Sequence, residues 1–488
     1  MTNQRLIVIG VAILATSAGS ATALAQNAAA IVGAASAQMG VSNLDSLLYY
    51  GAGANFSLGQ NNNAEGPWPR GNLSDYRRYI DFAAPSSLAS AQTYAVSVLG
   101  GPPQEGAFRQ NITGGSGGWA QQLEIWTTPW GFLKGAAANG ATAQSRSLDG
   151  QHYYVVSWNA PQRAPSGIPY TVVGYINQDT NLVDRVETWV ENSVFGDMHV
   201  ESIYTDYRDA YGLKYPTTMQ QNRAGWPVFE AQILGAHANP DDLPQSLFPS
   251  PATGGGGGFG GGGDPNYQAE RLADGVYRIT GGYVALAVEF NDHILIFEPA
   301  GQNEQRSQML MDTVKRTIRN KPIRYGILSH HHFDHTGGIP AVVGEGVTIV
   351  THDSSVAFFE RALSAPRTLA PDAIARTGRR PIVEGVGDMR VFTDGDQTVE
   401  IHHIKGLPHA DDMLIAYLPE HGIVAYADMF NFPPAGDPVP DPPVVGTMVF
   451  ADNLERLGLN WETLITVHPP NPDRPISRAD VLSSLGRN

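Results

Sequence analysis

The apolar positions of this chain follow two different patterns. Between residues 123 and 232, short aromatic and β-branched runs alternate with polar residues: Leu123-Glu124-Ile125-Trp126, Tyr153-Tyr154-Val155-Val156, Tyr170-Thr171-Val172-Val173, Arg185-Val186-Glu187-Thr188-Trp189 and His199-Val200-Glu201-Ser202-Ile203-Tyr204. A period of two, with turn residues between the runs, fits a sheet with one buried face, so the stretch predicts an antiparallel meander. Gln178-Asp179-Thr180-Asn181 reads as a hairpin turn, and Gly212 and Pro216 as a break in the pattern that continues from Tyr204 to Gln232. Beyond residue 266, strand and helix signals alternate instead. Strands are expected at 284–288, 294–297 and 325–328 and a helix at 302–318, the alternation of an α/β core.

Between the two patterns lies 254–263, GGGGGFGGGG, flanked by Pro249, Pro251 and Pro265. With almost no side chain to bury, this segment reads as a linker or long surface loop. The 488 residues suffice for more than one core. The 31 Lys+Arg against 47 Asp+Glu give a formal net charge of −16, which argues against nucleic acid as the main partner. Cysteine is absent, which removes disulfides, thiolate nucleophiles and Cys-ligated metals together. At the N-terminus, Arg5 precedes an apolar run at 6–15 and small residues ending Ala23-Leu24-Ala25. That order is a secretory signal peptide cut after Ala25, and the run is shorter than the about 20 apolar residues of a membrane span, so no stable anchor is expected. No twin arginine precedes it, which points to export unfolded, metal acquisition outside the cytosol and a periplasmic or secreted location.

The predicted strand at 325–328 runs into Ser329-His330-His331-His332-Phe333-Asp334-His335-Thr336-Gly337-Gly338. In such a run His330 and His332 can face one metal while Asp334 and His335 turn toward a second, and the glycines let the next helix start close by. An exposed His-rich patch would lack the embedded aspartate, the preceding strand and the Gly-Gly. His331 is expected to point away from the ligands, and His402 and His403 to be sheet residues; His352 and His421 carry no supporting pattern, although His352 opens a loop that can approach the site.

The run His330-x-His332-x-Asp334-His335 resembles the signature of the metallo-β-lactamase fold superfamily, which includes glyoxalase II, lactonases, phosphodiesterases and sulfatases. The resemblance implies a C-terminal αββα sandwich, which with the antiparallel β-rich domain before it gives the fold class α+β/α/β. It also implies the remaining ligands. His409, in Gly406-Leu407-Pro408-His409-Ala410-Asp411-Asp412, would complete the first site with His330 and His332. Asp428 matches the carboxylate that bridges both metals, and His468 would join Asp334, His335 and Asp428 on the second. Family members commonly carry Gly-His-Gly at that last position, whereas this chain has His468-Pro469-Pro470. The β-rich part resembles the half-barrel of periplasmic lipoprotein-carrier proteins in its strand pair followed by Tyr207-Arg208 and Gly212-Leu213-Lys214-Tyr215-Pro216. A concave apolar sheet of that kind would hold a greasy substrate tail.

The organisation expected is therefore a signal peptide at 1–25, a segment without assigned role at 26–90, the β-rich domain at 91–248, the linker at 249–266 and the metallo-β-lactamase-like catalytic domain at 267–488. Two divalent ions, with zinc suited best to imidazole and carboxylate ligands, would bridge a water and lower its pKa, and Asp334 would orient the nucleophile and carry a proton. A histidine at the third ligand position separates the chain from the oxygen-reducing di-iron branch, whose members carry an acidic residue there. A bridging aspartate resembles glyoxalase II and lactonases more than true β-lactamases, which carry cysteine or serine. The function expected is an exported binuclear hydrolase of an ester, lactone or thioester in a small molecule; the alternatives are a β-lactam-hydrolysing enzyme and an inactive envelope binding protein. Candidate pocket walls are 430–444 and the loop around Phe358-Phe359.

Overall fold

The computed structural model describes residues 18–95, 103–113, 118–244, 266–429, 443–470 and 472–485. The glycine-rich stretch at 254–263, the first 17 positions of the expected signal peptide and most of the 430–444 segment lie outside these residues.

The N-terminal domain is an open, antiparallel sheet of 11 strands with helices on one face. Strand Pro169–Asn177 shows how the residue pattern makes it: Tyr170, Val172, Gly174 and Ile176 are buried in alternation, and the residues between them are half-buried. The buried face receives helix Ala18–Met39, through Ala28, Val32, Ala35 and Met39, and helix Pro129–Ala138, through Trp130, Phe132 and Leu133.

Three features depart from the sequence reading. The sheet begins at Ser46, not at 91, because strands Ser46–Phe56, Arg70–Asp81 and Ser86–Ala95 of the unassigned 26–90 segment belong to it. The first of them pairs with the last, Trp226–Ala238, and so joins the two ends of the domain. Leu123–Trp126 is a helical turn rather than a strand: it leads into helix Pro129–Ala138, whose start is set by Pro129 and by the Thr128 hydroxyl accepting from Gly131 N at 3.1 Å. Pro216 breaks nothing. It lies inside strand Leu213–Arg223, opposite Tyr207, at a point where pairing to Trp226–Ala238 has not yet begun, so no ladder donor is lost.

The C-terminal domain is a sandwich of two sheets with 7 and 6 strands. Its seam is formed by residues such as Leu286, Val288 and Phe297 from one sheet and Val399, Ile401 and Leu414 from the other. Helices Glu304–Thr317, Ile339–Glu345 and Val356–Leu363 cover the outer face of the first sheet, and Val445–Leu457 and Arg478–Ser484 that of the second. The order of layers is αββα.

The two domains are joined by a built interface. The hairpin between strands Val183–Asn192 and Gly196–Ala210 docks on 362–372: Arg367 donates to Ser193 O and Val194 O, both at 2.9 Å, and pairs with Asp372. From the other side, the Asp197 carboxylate accepts from Thr368 N and Leu369 N, each at 2.9 Å. The Arg367 side chain is almost fully buried. Its replacement by alanine strands two carbonyls and a carboxylate, so Arg367→Ala is expected to lower stability by about 3 kcal/mol, read as a fall in the urea midpoint. An unchanged midpoint would show that the interface contributes nothing to folding.

Candidate metal centre

Parallel pairing brings chemistry-bearing residues to one edge of the sandwich. Strand Ile294–Phe297 pairs in parallel with Ile323–Ile327, so their C-terminal ends lie side by side and Glu298 stands next to Ser329 and the histidine run. Strand Ile423–Tyr426 pairs in parallel with Thr463–Thr466, which places Asp428 and His468 together, each two residues past its strand. His409 arrives from the loop after Thr398–His403. Close packing of the run on its neighbours requires Gly338: a Cβ there would lie 1.9 Å from Ser307 Oγ and 2.6 Å from Asn303 O.

The seven sequence candidates fall into two groups that share Asp428. His330, His332, His409 and Asp428 form one, and Asp334, His335, Asp428 and His468 the other; within each, one ligand atom per residue lies within 4.8 Å of the rest. Asp428 Oδ2 is 2.8 Å from His335 Nε2 and 3.3 Å from His409 Nε2, while its Oδ1 is 2.7 Å from His468 Nε2. Asp428 adopts φ 52°, a left-handed backbone uncommon for a residue with a side chain.

Hydrogen bonds fix which nitrogen is free. His332 Nε2 lies 2.8 Å from the carbonyl of Asn61, and a carbonyl only accepts, so the proton is on Nε2. Burial, then the neighbouring His409, push the His332 pKa down to about 3, so the ring is neutral and Nδ1 carries its lone pair. That Nδ1 is buried without a hydrogen-bond partner. A buried, unpaired lone pair in a group of three histidines and a carboxylate fits a divalent cation. Burial, followed by His332, His335 and His409, likewise holds His330 well below the usual imidazole range.

His335 goes the other way. Burial alone would lower its pKa, yet Asp428 and Glu298 on either side raise it well above the usual value. Glu298 Oε2 accepts from His335 Nδ1 at 2.7 Å and Oε1 from Ser329 N at 2.6 Å, which aims His335 Nε2 at the second group. For Asp428 and Asp334, burial pushes upward, but the charge of His335 leaves both below the ordinary carboxylate range, Asp428 far below. The Tyr283 hydroxyl donates to Asp334 Oδ2 at 3.0 Å, and its ring centroid is 4.5 Å from that of His468. Burial, then Asp334, push the Tyr283 pKa up, so it stays a donor.

The other histidines lie outside both groups. His331 points away, with Nδ1 2.9 Å from Asp412 Oδ1 and Nε2 3.1 Å from Asn61 Oδ1. His402 and His403 are in strand Thr398–His403, and the His352 ring lies against His403, with centroids 4.0 Å apart, instead of reaching the centre. Phe358 and Phe359 are not a pocket wall: they are buried in helix Val356–Leu363, where Phe358 backs His331 at 6.1 Å. Glu298, Tyr283 and Asp412 were not anticipated from the sequence. The one local signal for Glu298 is an acidic residue directly after the apolar run Ile294–Phe297.

Residues 281–475 match the family model of the metallo-beta-lactamase superfamily. Among solved structures, the chain is similar to a metallo-beta-lactamase from Pontibacter korlensis at 17% identity, covering 45% of this chain and 98% of that one with a TM-score of 0.35. It is also similar to a metallo-beta-lactamase from Hirschia baltica at 18% identity, covering 45% and 96% with a TM-score of 0.31. No curated protein matches the chain. The segment that matches the metallo-beta-lactamase superfamily model, 281–475, is the one that carries the His/Asp cluster at the sheet edge.

Proposed function

We propose that this protein is an exported hydrolase that uses two divalent ions, zinc above others, to cleave an ester, lactone or thioester bond in a small molecule. The observation that carries the reading is Asp428 shared between two complete donor groups. A pair of divalent ions bound there supplies Lewis acidity toward a carbonyl oxygen and lowers the pKa of coordinated water toward neutrality. The chain's own residues do the rest. His330, held neutral by burial, offers a lone pair without first losing a proton, as does His332. Glu298 aims His335. Asp334, a member of the second group, is placed to orient a water and take its proton at Oδ2, with the Tyr283 hydroxyl fixing that oxygen.

With 0 Cys in the chain, the shared position is a carboxylate and not a thiolate, which supports carbonyl ester chemistry and a harder cation site. The order of residues 1–25, Arg5 before an apolar run and then Ala23-Leu24-Ala25, supports export. Among the described residues, no helix is long and apolar enough to cross a membrane.

The test is proton release in a pH-stat, using the chain from Gln26 loaded with two equivalents of zinc. The substrates are a lactone, a thioester, an aryl ester, a phosphodiester and a β-lactam, each paired with a chelated control. Chelator-sensitive turnover of one of the first three is the expected result. Turnover confined to the β-lactam or the phosphodiester would replace the bond assignment, and zinc uptake without turnover of any substrate would favour an envelope binding protein.

A further inference from the structure

The loop at 57–69 connects the first two strands of the N-terminal sheet, but its polar groups are directed at the C-terminal domain. Gln60 Nε2 donates to Asp334 Oδ1 at 2.8 Å. The Asn61 carbonyl accepts from His332 Nε2 at 2.8 Å, and the Asn61 side chain meets His331. Asn62 Nδ2 donates to Pro408 O at 2.9 Å, next to His409, and Asn63 Nδ2 to Asp411 Oδ2 at 2.7 Å. One loop thus holds the two segments that carry the three histidines of the first donor group.

Apolar contacts seat the loop. Phe333, inside the histidine run, packs against Trp68 at 6.0 Å and against Phe195 of the neighbouring hairpin at 5.4 Å. Its amide donates to Gly59 O at 3.2 Å. Gly59 has φ +77°, and a Cβ there would fall 2.3 Å from Phe333 Cγ, so only glycine lets the loop lie this close.

We infer that the N-terminal domain completes the metal centre, with Gln60 and Asn61 as positioning residues that hold Asp334 and His332 in the orientation and tautomer in which they ligate. The inference rests on the metallohydrolase reading. Without the Asn61 carbonyl, the His332 ring is free to place its proton on Nδ1 and so lose its ligand lone pair. Without the Gln60 amide, Asp334 Oδ1 is no longer held away from the second group, and the carboxylate can turn about its bond so that Oδ2 leaves its place beside Tyr283. A loop that only packs would affect stability and leave metal binding unchanged.

The deciding experiment is cobalt(II) titration of the full chain against a competing chelator, followed through the visible d–d bands, in wild type, Gln60→Leu and Gly59→Ala. Gln60 is half-buried and leucine has nearly its shape, so that variant retains the fold. Gln60→Leu is expected to weaken second-site affinity about 10–100-fold and shift its bands, with the first site unchanged. Gly59→Ala, which forces the loop off Phe333, is expected to perturb both sites. Wild-type affinities and bands in Gln60→Leu overturn the inference, whether or not Gly59→Ala folds. A wild-type chain that binds no pair of ions overturns this inference and the hydrolase reading together; a wild-type pair left intact in Gln60→Leu overturns this inference alone.

Discussion

Asp428→Ala is expected to lose more than about a hundredfold in second-site metal affinity, since removing even a partner behind a ligand costs about 10–100-fold. Turnover at limiting metal should fall with it. Asp428 is the single residue common to both donor groups, and its two oxygens face different histidines: Oδ1 meets His468, and Oδ2 meets His335, His409 and His330. Alanine removes a negative charge from among four imidazoles, so any cation bound there also loses its shared anionic ligand. The first group keeps three histidines and should retain one ion, weakly. Metal analysis after dialysis, with chelator competition on the same samples, reads both effects. Two ions held at wild-type affinity by Asp428→Ala would remove the shared carboxylate, and with it the observation on which the proposed function stands.

The centre was legible in the sequence wherever its chemistry is local. His330, His332, Asp334 and His335 lie within one short run after a strand, and the superfamily resemblance, together with their places after predicted strands, singled out His409, Asp428 and His468. Glu298 and Tyr283 were not legible because their roles come from neighbouring strands: parallel pairing sets Glu298 beside Ser329, and antiparallel pairing brings the start of Ala285–Glu289, next to Tyr283, to the same edge. The 57–69 loop was less legible still. Asn61 and His331 are 270 positions apart, and a run of Gln and Asn carries no local sign of what it will contact. Within the fold, the antiparallel pattern held where alternation extends over many residues, as in Pro169–Asn177, and failed at Leu123–Trp126, where four residues cannot distinguish a strand from one buried helical turn. Residues 26–90 were opaque because their polar sequence hides buried partners. Arg78 is one: its guanidinium is buried and donates to Tyr76 OH at 2.8 Å and Ser87 Oγ at 2.9 Å within the sheet.

The second large effect is expected from Asp334→Asn. The replacement keeps the size and planarity of the side chain, and its oxygen can still accept the Gln60 amide, so folding and the donors of the first group should be preserved. What asparagine cannot do is take a proton. The lost atom is Oδ2, which receives the Tyr283 hydroxyl at 3.0 Å and lies 3.4 Å from His335 Nε2. If Asp334 carries the proton of the attacking water, kcat should fall about 10²–10⁴-fold with little change in KM, because the interaction is made chiefly in the transition state. Metal content must be measured alongside, since Asp334 also belongs to the second donor group. A variant whose turnover recovers fully in excess zinc would make Asp334 a ligand only. Undiminished turnover at wild-type metal content would exclude it from both roles.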